Sequence, residues 1–123
     1  MDHLLVVDDE KSVRDVLKDA LEYYGYKVTI ASNGQEGLEY FNNSHNFKLV
    51  ITDIQMPIMD GIQFARSIRN STKPDIPIIA ITGFFVDKNR ERDLFNYIIG
   101  KPFDLESLAK VISQLLESSN VAP

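Results

Sequence analysis

Short apolar runs alternate with longer segments of helical periodicity along the whole chain. We predict strands at residues 4–7, 28–31, 49–52, 78–81 and 97–99. Between and after these runs, apolar side chains recur every three or four residues, as in Val13, Leu17 and Leu21, which predicts amphipathic helices. Asp60 and Asp104 stand where they can cap the two later helices.

This alternation predicts an α/β fold with a doubly wound, five-stranded parallel sheet. Short parallel strands need helical crossovers, and near-continuous apolar strands need burial on both faces. Helices are therefore expected on both faces of the sheet. In such a fold the functional site lies beyond the carboxyl ends of the strands, near the point where the strand order reverses.

Composition narrows the class of protein. The chain has 123 residues, 44% hydrophobic and 25% charged, which fits one globular domain. The net charge is −5 and basic residues are dispersed, apart from Lys88, Arg90 and Arg92, so we expect no direct binding of nucleic acid. No apolar run approaches the roughly 20 residues that cross a bilayer. The start does not resemble a secretory signal and cysteine is absent, so we expect no membrane association and a cytoplasmic location.

Three carboxylates follow predicted strands. Asp8 and Asp9 come directly after the first strand and Asp53 directly after the third. Each acid alone is equally consistent with a solvated residue at a helix start or strand end. If the strands are neighbours, however, the acids converge and repel one another unless a cation neutralises them. With oxygen ligands and no cysteine or paired histidine, Mg²⁺ is favoured over zinc or copper.

Two further polar residues end predicted strands. Lys101 supplies a point charge that can pair with Asp53 at rest and with a phosphoryl oxygen afterwards. Most lysines lie on the surface, but Pro102 can turn the chain and fix where this one points. Thr82 carries a hydroxyl that can donate to an oxyanion, and Gly83 leaves room for one.

At this point four motifs match a family. Asp8-Asp9-Glu10 after the first strand, the D-x-x-M-P-x-M-D-G segment at residues 53–61, Thr82-Gly83 and Lys101-Pro102-Phe103 occur in order. Over essentially its whole length, the chain resembles the receiver domain of two-component response regulators. The resemblance implies a flavodoxin-like (CheY-like) sheet with strand order 2-1-3-4-5. Residues 1–118 would form the receiver domain, and residues 119–123 a tail or linker stub.

The resemblance also implies roles for the acids. Asp53 would accept a phosphoryl group from a sensor histidine kinase or histidine phosphotransfer protein. Asp9 and Asp53 would hold Mg²⁺ directly, with the backbone carbonyl of Gln55 as a third ligand, and Asp8 would act mainly through water. The protein would then be a phosphorylation-activated switch rather than a classical enzyme, a monomer or weak dimer that catalyses only its own phosphorylation and dephosphorylation and acts on an unknown downstream target.

The remaining implied roles belong to the switch. Lys101 would contact the phosphoryl group and Thr82 would move toward it. Receivers usually carry an aromatic residue three positions before the lysine, where this chain has Ile98. Residues 86–95 are rich in charged and amide side chains with few inward positions, so we expect a short or frayed helix there. Phe84 and Phe85 would either cover it as core or form an exposed contact for a partner.

Three alternatives remain open. A phosphatase of the haloacid dehalogenase type would need an acid two residues after its nucleophile, where this chain has Gln55. A flavodoxin-like cofactor binder would need glycines and hydroxyls after the first strand, whereas Asp8, Asp9 and Glu10 would repel a phosphate. A receiver that binds partners without phosphorylation stays possible because of Ile98.

Overall fold

The computed structural model describes residues 1–43, 46–83 and 93–120. Nine elements lie in these ranges. They are β1 (His3–Val7), α1 (Lys11–Tyr23), β2 (Lys27–Ala31), α2 (Gly34–Asn43), β3 (Phe47–Asp53), α3 (Gly61–Arg69), β4 (Ile78–Thr82), β5 (Tyr97–Gly100) and α4 (Leu105–Asn120). Every predicted strand is present, with its bounds extended by one or two residues. None of the helices described is both long and apolar enough to cross a bilayer.

All five strands form one parallel sheet in the order β2-β1-β3-β4-β5. This order confirms the doubly wound fold and the expected strand sequence. The order reverses between β1 and β3, and the carboxyl ends of both strands lie at the same edge of the sheet. The residues that follow β1 and β3 are therefore neighbours in space.

Helices cover both faces of the sheet, and successive residues of β1 show why its apolar run is continuous. Leu5 and Val7 face a core shared with α2 and α3, whereas Leu4 and Val6 face a second core shared with α1 and α4. All four side chains are at most 1% exposed. A strand buried on both sides has no position at which a polar residue can meet water.

Local capping fixes the helix that follows the acidic segment. The Asp60 carboxylate accepts a hydrogen bond from the Gln63 amide, and the Gln63 side chain accepts one from the Asp60 amide. This capping box satisfies two backbone donors at the start of α3. Asp104 likewise accepts hydrogen bonds from Glu106 and Ser107 at the start of α4, as predicted.

The last helix overlaps the segment that we predicted to be a tail or linker stub. That segment covers residues 119–123, and α4 continues through Asn120. Neither glycine nor proline occurs between Leu105 and Pro123, so no strong stop signal precedes Pro123. Whether residues 119–123 form a tail or linker stub stays a prediction.

Part of another prediction lies outside the described residues. Residues 86–92 of the helix expected at 86–95 lie outside the described residues. The same is true of Phe84 and Phe85, and the basic residues Lys88, Arg90 and Arg92 belong to this segment. The described end of that segment is a turn rather than a helix, and it places Leu94 and Phe95 in the core at 9% and 5% exposure.

Arg69, at the end of α3, fastens the start of β5 to the rest of the domain. Its guanidinium donates to the backbone carbonyls of Pro74, Ile76 and Leu94 and to the Asn96 side chain, at 2.6–3.1 Å. These contacts use all five of its N–H donors. Asn96 in turn exchanges two hydrogen bonds with the Ile78 backbone, at 2.8 and 2.9 Å, and so extends the pairing of β4 with β5.

We expect Arg69→Gln to lower the free energy of unfolding by about 2 kcal/mol, because several carbonyls would lose a charged donor. Denaturant unfolding measures the loss. Arg66→Gln is the matched control, since Arg66 lies one turn earlier on the same helix with its side chain exposed, and it should change stability by less than about 0.5 kcal/mol. Equal effects of the two substitutions would contradict this role for Arg69.

Candidate functional site

Three acids meet at the carboxyl ends of β1 and β3. One carboxylate oxygen from each of Asp8, Asp9 and Asp53 lies within 4.8 Å of the other two. Asp8 and Asp53 are only 2% and 6% exposed, whereas Asp9 is open to solvent. The predicted convergence is therefore confirmed. A compact set of oxygen ligands with one open side fits a hard divalent cation that retains water, as Mg²⁺ does.

Lys101 extends into this cluster from the end of β5. Its Nζ lies 2.9 Å from Asp53 Oδ2, 3.2 Å from Asp8 Oδ2 and 3.8 Å from Glu10 Oε1. Its amide donates to the Thr82 carbonyl at 2.8 Å, which continues the β4–β5 pairing. The Lys101–Pro102 peptide is cis. The lysine thus pairs with Asp53, as predicted.

Burial and charge act in opposite directions on these groups. Burial raises the pKa of Asp8, and this effect outweighs the Glu10 amide and the Lys101 ammonium, which favour the charged carboxylate. For Lys101, burial alone lowers the pKa, but the hydrogen bond to Asp53 and the charges of Asp8 and Asp53 together raise it above the usual value. The lysine is therefore firmly charged, and Asp8 is a carboxylate whose ionisation costs free energy.

Backbone contacts hold the two buried acids in place. The Glu10 amide donates to Asp8 Oδ1 at 2.9 Å, and the Ile54 amide donates to Asp53 Oδ1 at 2.6 Å. Arg14, in the first turn of α1, donates to the Asp8 carbonyl at 2.7 Å. We did not predict the contacts of Glu10 and Arg14 with the site. The signal available in the sequence was that Arg14 lies six residues after Asp8, near the start of the predicted α1.

Thr82 and Ile98 share one face of the sheet. Thr82 ends β4 and is 3% exposed. Ile98 pairs with Ala80, two residues before Thr82, so all three side chains point the same way. Ile98 packs against the core that contains α2 and α3. Gln55 lies in the exposed loop that follows β3.

Comparison with known proteins agrees with this geometry. The family described as the response regulator receiver domain matches residues 4–113. The chain belongs to this family. As a receiver domain, it is 37% identical over 121 residues to the response regulator receiver protein CpdR of Brucella abortus, covering 94% of this chain and 98% of CpdR.

Other relatives of this receiver domain are longer. It is 39% identical over 118 residues to the probable transcriptional regulator ycf27 of Cyanidium caldarium, covering 93% of this chain but 46% of that protein. The chain thus spans about half the length of several curated relatives. Among solved structures, the response regulator TrrA of Thermotoga maritima in complex with Mg²⁺-BeF superposes with a TM-score of 0.82 at 35% identity, covering 94% of this chain and 99% of that one.

In metal-free buffer, we expect Asp8→Asn to raise the free energy of unfolding at about pH 7. Because burial raises the pKa of Asp8 above 3.8, the folded protein binds this proton more tightly than the unfolded chain does. Stability is therefore lost as pH rises from 3.8 through the raised pKa, and the asparagine variant avoids that loss.

Denaturant unfolding at about pH 3 and about pH 7 tests this expectation, with the gain present only at the higher pH. Asp9→Asn, at the exposed position of the same cluster, should give a smaller gain. A loss of stability in Asp8→Asn at about pH 7 would contradict the expectation.

Proposed function

We propose that this receiver domain is a phosphorylation-activated switch in which Asp53 accepts a phosphoryl group from a sensor histidine kinase or a histidine phosphotransfer protein. The observation that carries the proposal is the buried Asp53 carboxylate, held 2.9 Å from the Lys101 ammonium and beside Asp8 and Asp9. Family membership supports the same function. Nothing in the described residues favours partner binding without phosphorylation.

The arrangement suits attack by a carboxylate oxygen on phosphorus. The Ile54 amide orients the Asp53 carboxylate through Oδ1. In the transfer, an Asp53 oxygen forms the new P–O bond as the P–N bond of the phosphohistidine breaks and the donor imidazole leaves. Lys101, already at the site, can contact the negatively charged phosphoryl oxygens as the phosphoryl group moves onto Asp53. Catalysis then rests on positioning and charge neutralisation.

The acids fit a Mg²⁺ site. Asp9 and Asp53 would bind the ion directly, the Gln55 carbonyl would complete the protein ligands, and Asp8 would act through water. When bound, the ion would neutralise the carboxylates and phosphoryl oxygens. The mutual proximity of the three carboxylates supports this assignment, as does the similarity to a receiver solved with Mg²⁺-BeF.

Thr82 and Ile98 are the proposed switch. Thr82 would move toward the phosphoryl group, and Ile98 would respond because its side chain lies on the same face of adjacent β5. The downstream target would then distinguish the two states of this face. We further propose that the domain works in the cytoplasm as a monomer or weak dimer, with no direct contact with nucleic acid or membrane.

The proposed reaction is limited to the protein's own aspartate. An enzyme that hydrolyses foreign phosphoesters through an aspartyl phosphate of the haloacid dehalogenase type needs an acid two residues beyond the nucleophile, and Gln55 cannot serve as one. We therefore propose that only phosphorylation and dephosphorylation of Asp53 are catalysed.

Incubation with Mg²⁺ and a small phosphodonor such as acetyl phosphate should add one acid-stable, base-labile phosphoryl group, detected by intact-protein mass spectrometry. Asp53→Asn should abolish the gain because the nucleophilic oxygen is lost. Asp60→Asn is the matched control on the same segment, since asparagine also caps helices and Asp60 lies outside the acidic cluster. A gain that survives Asp53→Asn would overturn the proposal.

Mg²⁺ should stabilise the folded protein, because the three carboxylates converge only in the folded state. At a concentration about 100 times the dissociation constant, the gain in the free energy of unfolding should be about 2.7 kcal/mol. Thermal unfolding with Mg²⁺ or EDTA measures it. Asp9→Asn should remove most of the gain, whereas Asp60→Asn should retain it. If the stability of the wild-type protein is the same with Mg²⁺ and with EDTA, the proposed metal site is contradicted.

A further inference from the structure

The loop at residues 54–60, here called the acid loop, joins β3 to α3 and begins directly after Asp53. Its two ends are tied together, since the Gly61 amide donates to the Ile54 carbonyl at 2.8 Å. A Cβ at position 61 would lie 2.1 Å from the Asp53 carbonyl oxygen, so only glycine permits this approach. The start of α3 is thus pressed against the end of β3.

The middle of the acid loop contains an unfavourable turn. The Met59 amide donates to the Pro57 carbonyl at 2.8 Å across Ile58, whose φ is 74°. A positive φ is rare for a β-branched residue and costs on the order of 1–3 kcal/mol, so neighbouring structure has to hold the turn. Ile58 is 79% exposed, so packing of its own side chain does not supply that support.

Support comes from the first residue of α2. The Gly34 amide donates to the Met59 carbonyl at 3.1 Å. A Cβ on Gly34 would lie 2.6 Å from that carbonyl oxygen and 2.9 Å from Met59 Cγ. The backbone of α2 therefore lies against the acid loop with no space for even a methyl group.

The start of α2 is itself firmly fixed. Asn33 Oδ1 accepts a hydrogen bond from the Glu36 amide at 2.9 Å. The Glu36 carboxylate accepts two more from Ser32, one from its amide at 3.2 Å and one from its hydroxyl at 3.1 Å. These local contacts satisfy donors at the helix start without involving the acid loop. The position of the Gly34 amide is therefore fixed by contacts that do not depend on the acid loop.

We propose that Gly34 is a positioning residue for the metal and phosphoacceptor site. By holding the Met59 carbonyl, it fixes the acid loop and so places the Gln55 carbonyl beside Asp53. This inference rests on the proposed function, because Gln55 matters only if the site binds Mg²⁺. Gly34 itself contacts neither the ion nor the phosphoryl group.

Gly34→Ala tests the proposal. The added methyl group would displace the Met59 carbonyl, so we expect the dissociation constant for Mg²⁺ to rise about tenfold, as it does when supports behind metal ligands are lost. Isothermal titration calorimetry with Mg²⁺ alone measures the change. Alanine favours helix more than glycine does, so α2 should remain intact, which circular dichroism can verify.

Gly37→Ala is the matched control. Gly37 lies one turn later in α2, and a Cβ there would meet Val7 Cγ2 at 2.9 Å and the Phe64 ring at 3.2 Å, both side-chain atoms away from the acid loop. It should leave Mg²⁺ affinity near the wild-type value even if stability changes. Equal losses of affinity in both variants would indicate general loosening of the domain and overturn the proposal.

A second measurement uses the wild-type protein and does not depend on the variant folding. As the first residue of α2, Gly34 has no intrahelical carbonyl partner, so protection of its amide from hydrogen exchange reports on its bond to Met59. By linkage, Mg²⁺ should slow exchange at Gly34 more than at Gly37, whose amide donates to the carbonyl of Asn33, the residue just before α2, at 3.0 Å.

The outcomes separate the two proposals. If the wild type binds Mg²⁺ but Gly34→Ala binds it equally well, or if Mg²⁺ slows exchange at Gly34 no more than at Gly37, the positioning role is wrong and the proposed function stands. If the wild type does not bind Mg²⁺, both are wrong. A selective loss in Gly34→Ala together with selective slowing at Gly34 supports the proposal.

Discussion

Mutual repulsion of carboxylates at one edge of the sheet is the constraint around which this domain is organised. The parallel sheet brings the residues after β1 and β3 together, and two of the three acids are removed from water there. Like charges at this separation raise the free energy of the folded state unless they are compensated. Lys101 compensates part of that charge, and the amides of Glu10 and Ile54 each stabilise a carboxylate oxygen.

Such a cluster needs rigid surroundings, and the two cores provide them. Alternate residues of β1 pack into the two opposite cores, so the strand that precedes Asp8 cannot shift without disturbing both. Close contacts of glycine backbone restrain the acid loop in the same way, with Gly61 against Asp53 and Ile54 and Gly34 against Met59. The charge of the acids is therefore compensated by one set of residues, and the backbone that holds the acids is kept rigid by another.

Much of the fold and of the site could be predicted, because the spacing of hydrophobic residues determines the strands and helices and the residue types at strand ends indicate the site. The apolar runs predicted all five strands, and acids at strand ends predicted the convergence of Asp8, Asp9 and Asp53. Contacts through backbone atoms could not be predicted in this way. The carbonyls bound by Arg69 and the approach of Gly34 to Met59 depend on how loops cross in space, which residue types do not encode. The last helix continues through Asn120 because serine and asparagine only weakly oppose a helix.

The two ends of β5 are fastened by charges of different kinds. At its start, Asn96 is held by Arg69, whose guanidinium is always protonated and bonded to fixed carbonyls. At its far end, Lys101 is held by carboxylates whose charge depends on protons and ligands. The contacts of Arg69 do not depend on pH or ligands, whereas the ion pairs of Lys101 do. The contacts at the start of β5 are therefore the same whatever the charge of the acids, whereas the contacts at its far end depend on that charge.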